Sequence, residues 1–341
     1  MRAILLCAGK GTRFRPVTDR IPKPLLPFLN VPMAVQHLRR LQEAGVAQVA
    51  VNLHHLPEQV EGVLREQAPR TPELAFFFEP RILGTAGALR NAASFLRGGD
   101  FLVVNSDAAI APDLTRLVAR HRDSGRAATL LVTENRHPDR YTPLQAEGDR
   151  IAGFGVAGDR PLLYTGICVL AARLLDRIPA GEAALVADLW QPLLDEGRDE
   201  IGFVVHDGPF ADLGRPGDFL RASLEALARG GPFPSGAGVF DASRGVLGLD
   251  GAFDAADSVV ADGAVIGAGA VLRRSAVWTG AAVGAGARLE SCLAARGRVA
   301  AGAHYEKALL WAADPFGDAA ALDLSGFDDD SHGFHSLSPR R

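Results

Sequence analysis

Short apolar runs alternate with segments of helical period over the first two thirds of the chain. "AILLCA" (3–8), "QVAVNL" (48–53), "LAFFFEP" (74–80), "FLVVNSD" (101–107) and "AATLLVT" (127–133) predict buried strands. Between them, "AVQHLRRLQEAG" places Ala34, Val35, Leu38 and Leu41 on one helical face, closed by Gly45. "PEQVEGVLREQ", "TAGALRNAASFL" and "APDLTRLVARHRDSG" behave likewise. Strand and helix in strict alternation predict an α/β fold: a Rossmann-like, mostly parallel sheet, covered on both faces. Ligands then belong at the carboxyl ends of its strands. "LLYTGICVL", "EIGFVVHD" and a closing helix, "PGDFLRASLEALARG", complete a first domain over 1–229.

"GGPFPSGAG" breaks this pattern and predicts a linker over 230–240. Beyond it Val259, Val265, Val271, Val277, Val283 and Leu289 recur every six residues. "IGAGAVL" from Ile266 and "VGAGARL" from Val283 lie one coil of three hexads, less a residue, apart. A short left-handed β-helix of hexapeptide-like repeats over 241–312 follows. An Ala-rich helix would show a period of about 3.6, and glycine would cost it about 1 kcal/mol at each position. The polar stretch 313–341, ending "FDDDSHGFHSLSPRR", is expected to lack order.

A chain of 341 residues agrees with two domains. Its formal charge of −4 gives no reason to expect a nucleic-acid or membrane surface. "AILLCA" is too short for a secretory segment, and no run reaches bilayer length. Three cysteines without metal-type spacing, Cys7, Cys168 and Cys292, read as reduced core thiols and point to a cytoplasmic protein. Among 36 basic residues only Lys10, Lys23 and Lys307 are lysine, and two of them fall in one short stretch.

That stretch, "LLCAGKGTRFRPVTDRIPKPLLPF" (5–28), carries the chemistry. It is not a P-loop, because Gly9, Lys10, Gly11 and Thr12 are consecutive. It is not a dinucleotide fingerprint, because position 14 is Phe and no helix is expected before about residue 32. A wide loop remains. Gly9 and Gly11 let backbone N–H groups converge on an anion, and Arg13 can grip a phosphate with two parallel hydrogen bonds. Pro22 and Pro24 fix the backbone on either side of Lys23.

Gly9-x-Gly11-Thr12-Arg13-x-x-Pro16 followed by Pro22-Lys23-Pro24 resembles the signature of sugar-phosphate nucleotidylyltransferases, the sugar-nucleotide pyrophosphorylases. The similarity extends through "EPRILGTAGAL" (79–89), "FLVVNSDAAI" (101–110), "YTGICVL" (164–170) and "ADLGRPGDF" (211–219). Several members, mannose-1-phosphate guanylyltransferases among them, also carry a C-terminal left-handed β-helix. The resemblance implies transfer of a nucleotidyl group from a nucleoside triphosphate to a sugar 1-phosphate, with release of pyrophosphate. It implies nucleotide contacts by Leu6, Ala8, Gly9, Gly11, Thr12, Arg13, Gly84 and Thr85, and catalytic roles for Arg13 and Lys23. Gly166 would face the sugar, and Asp107 and Asp212 would hold Mg²⁺. Asp107 ends an apolar strand where ligands are expected, which agrees with that role.

The chain departs from the family in two places. No lysine lies between 136 and 166, where many members carry a Glu-Lys-Pro element; Arg140, Arg150 and Arg160 are the available substitutes. Ser106 stands where the family often has Gly. GTP with mannose 1-phosphate is the leading substrate pair, and uridylyl or thymidylyl transfer to a glucose-type or muramic sugar is the alternative. A silent regulatory paralogue has no need of Arg13, Lys23, Asp107 and Asp212 together. An acyltransferase using His304 would rest on a lone histidine. The β-helix, with "YEKALLWAADPF" (305–316), is expected to serve homo-oligomerisation.

Overall fold

The computed structural model describes residues 1–155, 161–197, 200–229, 254–324 and 336–337. The chain forms two compact units. One holds Met1–Lys10, Pro22–Leu25 and Met33–Phe210; the other holds Gly11–Ile21, Leu26–Pro32 and Ala211–Arg341. Two pieces of the opening loop thus cluster with the C-terminal third of the chain. The linker expected over 230–240 lies outside the described residues.

The first unit is built on a nine-stranded sheet. In chain order its strands are β1 (Arg2–Leu6), β2 (Gln48–Leu53), β3 (Glu73–Phe78), β4 (Phe101–Asn105) and β5 (Ala128–Glu134). Then come β6 (Leu144–Glu147), β7 (Arg150–Phe154), β8 (Leu162–Leu170) and β9 (Ile201–Val205). Their spatial order is β3-β2-β1-β4-β8-β5-β9-β7-β6. The first four are parallel, as the alternation of strand and helix requires. β8 runs antiparallel to both β4 and β5, so the sheet is mixed beyond that point. Leu6 is in register with Asn52 and Asn105, which brings three strand ends level at the carboxyl edge.

Helices α1 (Met33–Glu43), α2 (Pro57–Gln67), α3 (Gly84–Asn91) and α4 (Leu114–Ser124) connect these strands. α1 buries Ala34, Val35, Leu38 and Leu41, the face its period predicts, together with His37. The α4 start is fixed by Asp113, whose carboxylate accepts the Arg116 N–H at 2.9 Å; its end is Gly125 at φ 63°. The core joins Ile4, Val103, Leu130, Cys168 and Trp190 through side chains from five different segments.

The second unit contains 3-10 turns at Thr12–Phe14 and Val17–Asp19, a hairpin of Pro27–Phe28 with Val31–Pro32, and helix α5 (Pro216–Ala228). Three stacks of short parallel strands then form a triangular β-helix. Val271 stands beside Arg288, seventeen positions on, and Arg288 beside His304, sixteen on. A coil shorter than three hexads must lose a residue on one face. The inward positions are therefore Val260, Ile266 and Leu272, then Val277, Val283 and Leu289. Three residues of the six-residue series sit one place off that column, and Val265 is 58% exposed.

Order also continues past residue 312, where a disordered tail was expected. Ala320–Asp323 pairs antiparallel with Ala308–Trp311 and covers the end of one stack. Ser336–Leu337 pairs with it in turn. Outside the interior of the β-helix, an aromatic cluster joins Phe14, Phe28, Phe219 and Trp278, each nearly or wholly buried.

Candidate active site

A cleft of about 260 Å³ opens at the carboxyl edge of the first unit's sheet. Seven of the expected site residues line it: Leu6, Ala8, Gly9, Lys23, Gly84, Thr85 and Asp107. Lys23 starts a 3-10 turn that closes with the Leu25 N–H on the Pro22 carbonyl at 2.8 Å. Its stem is buried, and its ammonium donates to Oδ2 of Asp107 at 2.7 Å. Asp107 lies two residues past the end of β4, and its side chain is 38% exposed, so the pair faces the cleft with its carboxylate side wet.

The short strand after Asp107, Ala108–Ile110, is held at its first residue by His37. Burial, then the charge of Arg40, pushes the imidazole down to about 3, against the opposing pull of the Ala108 carbonyl and Asp107. The ring is therefore neutral near pH 7. Nε2 lies 3.1 Å from the Ala108 carbonyl, which can only accept, so Nε2 carries the proton.

A second network fixes the opposite wall. Asn52 accepts the Cys7 N–H at 2.7 Å and donates to Glu79 Oε1 at 2.7 Å. Oε2 of the fully buried Glu79 accepts the Leu83 N–H at 3.0 Å. The start of α3 is thereby tied to the end of β1. Gly84 has φ +72°, and a Cβ there would lie 2.4 Å from the Ala183 carbonyl oxygen. Thr85 accepts the Leu185 N–H at 2.9 Å. The N–H groups of Ala86 and Gly87 in the first turn of α3 both donate to the Ala183 carbonyl, at 2.9 and 3.1 Å, so they are not free for a ligand. Ser106 uses its hydroxyl, which a glycine lacks, to donate to the Leu6 carbonyl at 2.6 Å. Cys7 is pushed up to about 12, chiefly by burial, so it is an inert thiol.

Gly166 is also spoken for by the protein. At φ +86° its missing Cβ would lie 2.8 Å from Cβ of Asn105. Asn105 lines the cleft, and its buried Oδ1 has no hydrogen-bond partner among the described residues. That oxygen and the Asp107 carboxylate are hard donors of the kind Mg²⁺ takes. Of the arginine substitutes, Arg140 lies over the Tyr141 ring and Arg150 pairs with Glu147. Arg160 lies outside the described residues.

Gly11, Thr12, Arg13 and Asp212 belong to the second unit. Gly11 is left-handed at φ 62° and starts the Thr12–Phe14 turn; its carbonyl accepts from Phe14 N at 2.9 Å and from the Thr18 hydroxyl at 2.7 Å. Asp212 accepts the Gly214 N–H at 2.9 Å. A Cβ on Gly214 would lie 2.7 Å from an Arg13 Nη and 3.0 Å from Asp212 Oδ1, so Arg13 and Asp212 converge on one bare stretch of backbone.

His37, Asn52, Glu79 and Asn105 were assigned no role from sequence. Asn105 and Glu79 stand inside quoted motifs, "FLVVNSDAAI" and "EPRILGTAGAL".

Residues 2–229 match the Nucleotidyl transferase family. The chain is 30% identical over 275 residues to a mannose-1-phosphate guanylyltransferase of Mycobacterium tuberculosis, covering 79% of this chain and 72% of that protein. It is 33% identical over 249 residues to a UTP–glucose-1-phosphate uridylyltransferase of Synechocystis, covering 67% of this chain and 64% of that protein. This chain thus spans less than two thirds of the second relative's length. Among solved structures, HddC from Yersinia pseudotuberculosis superposes with a TM-score of 0.57 at 22% identity, over 66% of this chain and 98% of that one. A putative glucose-1-phosphate thymidylyltransferase from Bacillus anthracis does so with a TM-score of 0.58 at 20% identity, over 69% and 98%. Both share the fold.

Proposed function

This chain belongs to the nucleotidyl transferase family, and from that premise we propose that it is a sugar-1-phosphate nucleotidylyltransferase using GTP and mannose 1-phosphate. The observation that carries the reading is the Lys23–Asp107 pair, 2.7 Å apart in a cleft walled by Gly9, Gly84 and Thr85. A sugar phosphate oxygen attacks the α-phosphorus, the bond to the β-phosphate breaks, and pyrophosphate leaves. No protein nucleophile is required; the protein must hold two polyanions together and meet charge as it moves to the leaving group.

Lys23 exchanges its bond with Asp107 for one to a phosphate oxygen near the reacting centre. Gly9 and Gly11 give phosphates access to the backbone, and Arg13 grips the triphosphate. Leu6, Ala8, Thr12, Gly84 and Thr85 complete the nucleotide contacts, and Gly166, assigned to the sugar side, lets Asn105 pack against its bare Cα beside the cleft. Asp107 and Asp212 are the carboxylates assigned to Mg²⁺, which would neutralise triphosphate charge when bound.

The guanine and mannose assignment is supported by the Mycobacterium tuberculosis relative, whose match runs past residue 229 in extent. Incubating the protein with GTP, ATP, UTP and dTTP against a panel of sugar 1-phosphates, with Mg²⁺ and a pyrophosphate readout, tests it. Turnover with UTP or dTTP alone transfers the assignment to a glucose-type sugar, as the names of the uridylyl and thymidylyl relatives would lead one to expect. Silence across the panel with nucleotide binding intact replaces it with a regulatory role. Homo-oligomerisation belongs to the same proposal, and sedimentation of the full chain tests it.

A further inference from the structure

The aromatic cluster of the second unit joins three distant pieces of sequence. Phe14 is the residue immediately after Arg13 and is fully buried. Its ring stacks on Trp278 with centroids 6.3 Å apart and planes 21° from parallel, and meets the edge of Phe219 at 5.7 Å. Phe219 lies in α5, five residues past Gly214, and packs against Trp278 at 5.2 Å and Phe28 at 5.8 Å. Trp278 itself sits at a corner of the β-helix, directly after the inward-facing Val277, and is 2% exposed. A second tie runs the same way: Asn30 donates to the Val260 carbonyl at 3.0 Å.

The backbone that presents Arg13 therefore rests on a side chain of the β-helix. The turn Thr12–Phe14 is a single 3-10 turn, too short to hold its own shape. Besides the Thr18 hydroxyl on the Gly11 carbonyl, what holds it is Phe14, clamped between Trp278 and Phe219. Phe219 shares the clamp and follows the Asp212–Gly214 segment on which Arg13 converges. One aromatic layer thus supports both the arginine and the segment that carries Asp212.

We propose that Trp278 is a positioning residue for the triphosphate-binding loop: the β-helix supplies the floor on which Gly11–Arg13 is held in its binding geometry. The proposal rests on the assignment of that loop to the triphosphate. It gives the β-helix a part in nucleotide binding, in addition to any role in oligomerisation.

The test uses the full chain and a probe independent of base and sugar, inorganic tripolyphosphate with Mg²⁺, titrated by calorimetry. Trp278→Ala is expected to weaken binding at least tenfold, and Trp278→Phe, which keeps an aromatic face, to stay within about threefold of the parent. Trp278→Leu fills most of the volume without a flat ring; it is expected to lose as much as alanine, and it serves if the alanine variant does not fold. Leu289→Ala removes a buried side chain from the β-helix interior, and is expected to lower the melting temperature while leaving affinity within twofold. With substrates, the Trp278 variants should raise KM for the nucleotide and leave KM for the sugar phosphate unchanged.

Affinity unchanged in Trp278→Ala or Trp278→Leu, or lowered equally by Leu289→Ala, overturns the proposal. Arg13→Ala separates the two levels. If it abolishes tripolyphosphate binding while the Trp278 variants do not, only the role of Trp278 fails. If it too leaves binding intact, the loop assignment fails and the role of Trp278 with it.

Discussion

The Lys23 ammonium lies 2.7 Å from Oδ2 of Asp107, although 84 positions separate the two in the chain. Two features hold the lysine there: prolines on both sides fix its backbone, and its stem is buried. A compact ammonium on a fixed stem can leave a carboxylate for a phosphate without moving the chain. Guanidinium is wider and planar and would need a different cavity. Lys23→Met and Lys23→Arg are therefore both expected to lower kcat by about 10²–10³, the usual loss when one group facing developing charge is removed. Nucleotide turnover measured beside circular dichroism checks this; an arginine variant with parental kcat would show that only charge is needed.

Two glycines of the cleft are expected to respond differently to alanine. At Gly9 a Cβ meets nothing within 4 Å, so Gly9→Ala should leave the melting temperature unchanged and weaken nucleotide binding alone. At Gly84 the added Cβ would meet the Ala183 oxygen at 2.4 Å, at φ +72°. Gly84→Ala should then destabilise the fold by roughly 2 kcal/mol or more, from left-handed strain and the clash together. Thermal melting and nucleotide titration of the pair decide it. A destabilised Gly9→Ala would mean that this glycine serves the fold and not a ligand.

These two glycines also mark what could be read from the chain. Both stand in motifs whose spacing marks them as candidates, and both line the cleft. The reason for Gly84 was not legible, since its close neighbour, Ala183, comes from a segment about a hundred positions later. The parallel strands β1 to β4 were legible to within two residues, because parallel strands covered on both faces are continuous apolar runs; β6 and β7, antiparallel neighbours at the end of the sheet, carry no such run and were not read. β8 was legible as a strand, but not as one that reverses the sheet, since direction depends on the connection. In the β-helix the six-residue period and the seventeen-residue coil were plain, while the place of the dropped residue, after Leu272, was not: the inward column shifts there without breaking the valine series. Glu79 and Asn52 acquire their roles only through the register of β1, β2 and β3.

Glu79 is fully buried, with Asn52 on one oxygen and the Leu83 N–H on the other. Removing it leaves two donors unpaired inside the protein, at about 1–3 kcal/mol each. Glu79→Ala should lower the melting temperature and let the 83–85 segment drift. KM for the nucleotide should rise about tenfold, discrimination among the four nucleoside triphosphates should narrow, and KM for the sugar phosphate should stay put. Glu79→Gln, which keeps an acceptor for Leu83, should fall between. Equal losses toward both substrates would remove Glu79 from the nucleotide wall.

His37 gives the protein a pH dependence with a definite sign. In the unfolded chain it titrates near its ordinary 6.5; in the fold burial pushes it down to about 3. Between those values the unfolded chain binds the extra proton. Stability is therefore full above about pH 6.5 and falls as the pH drops toward 3, by up to about 1.4 kcal/mol per pH unit. His121 and His206, also lowered by burial, add slope of the same sign. Glutamine at this place can still donate to the Ala108 carbonyl but does not titrate, so His37→Gln should flatten the curve of stability against pH between 7 and 5 by one proton's worth. Denaturant unfolding at several pH values measures that slope. A variant as steep as the parent would mean that the proton taken up on unfolding goes elsewhere, and that the strand after Asp107 is not held by a neutral imidazole.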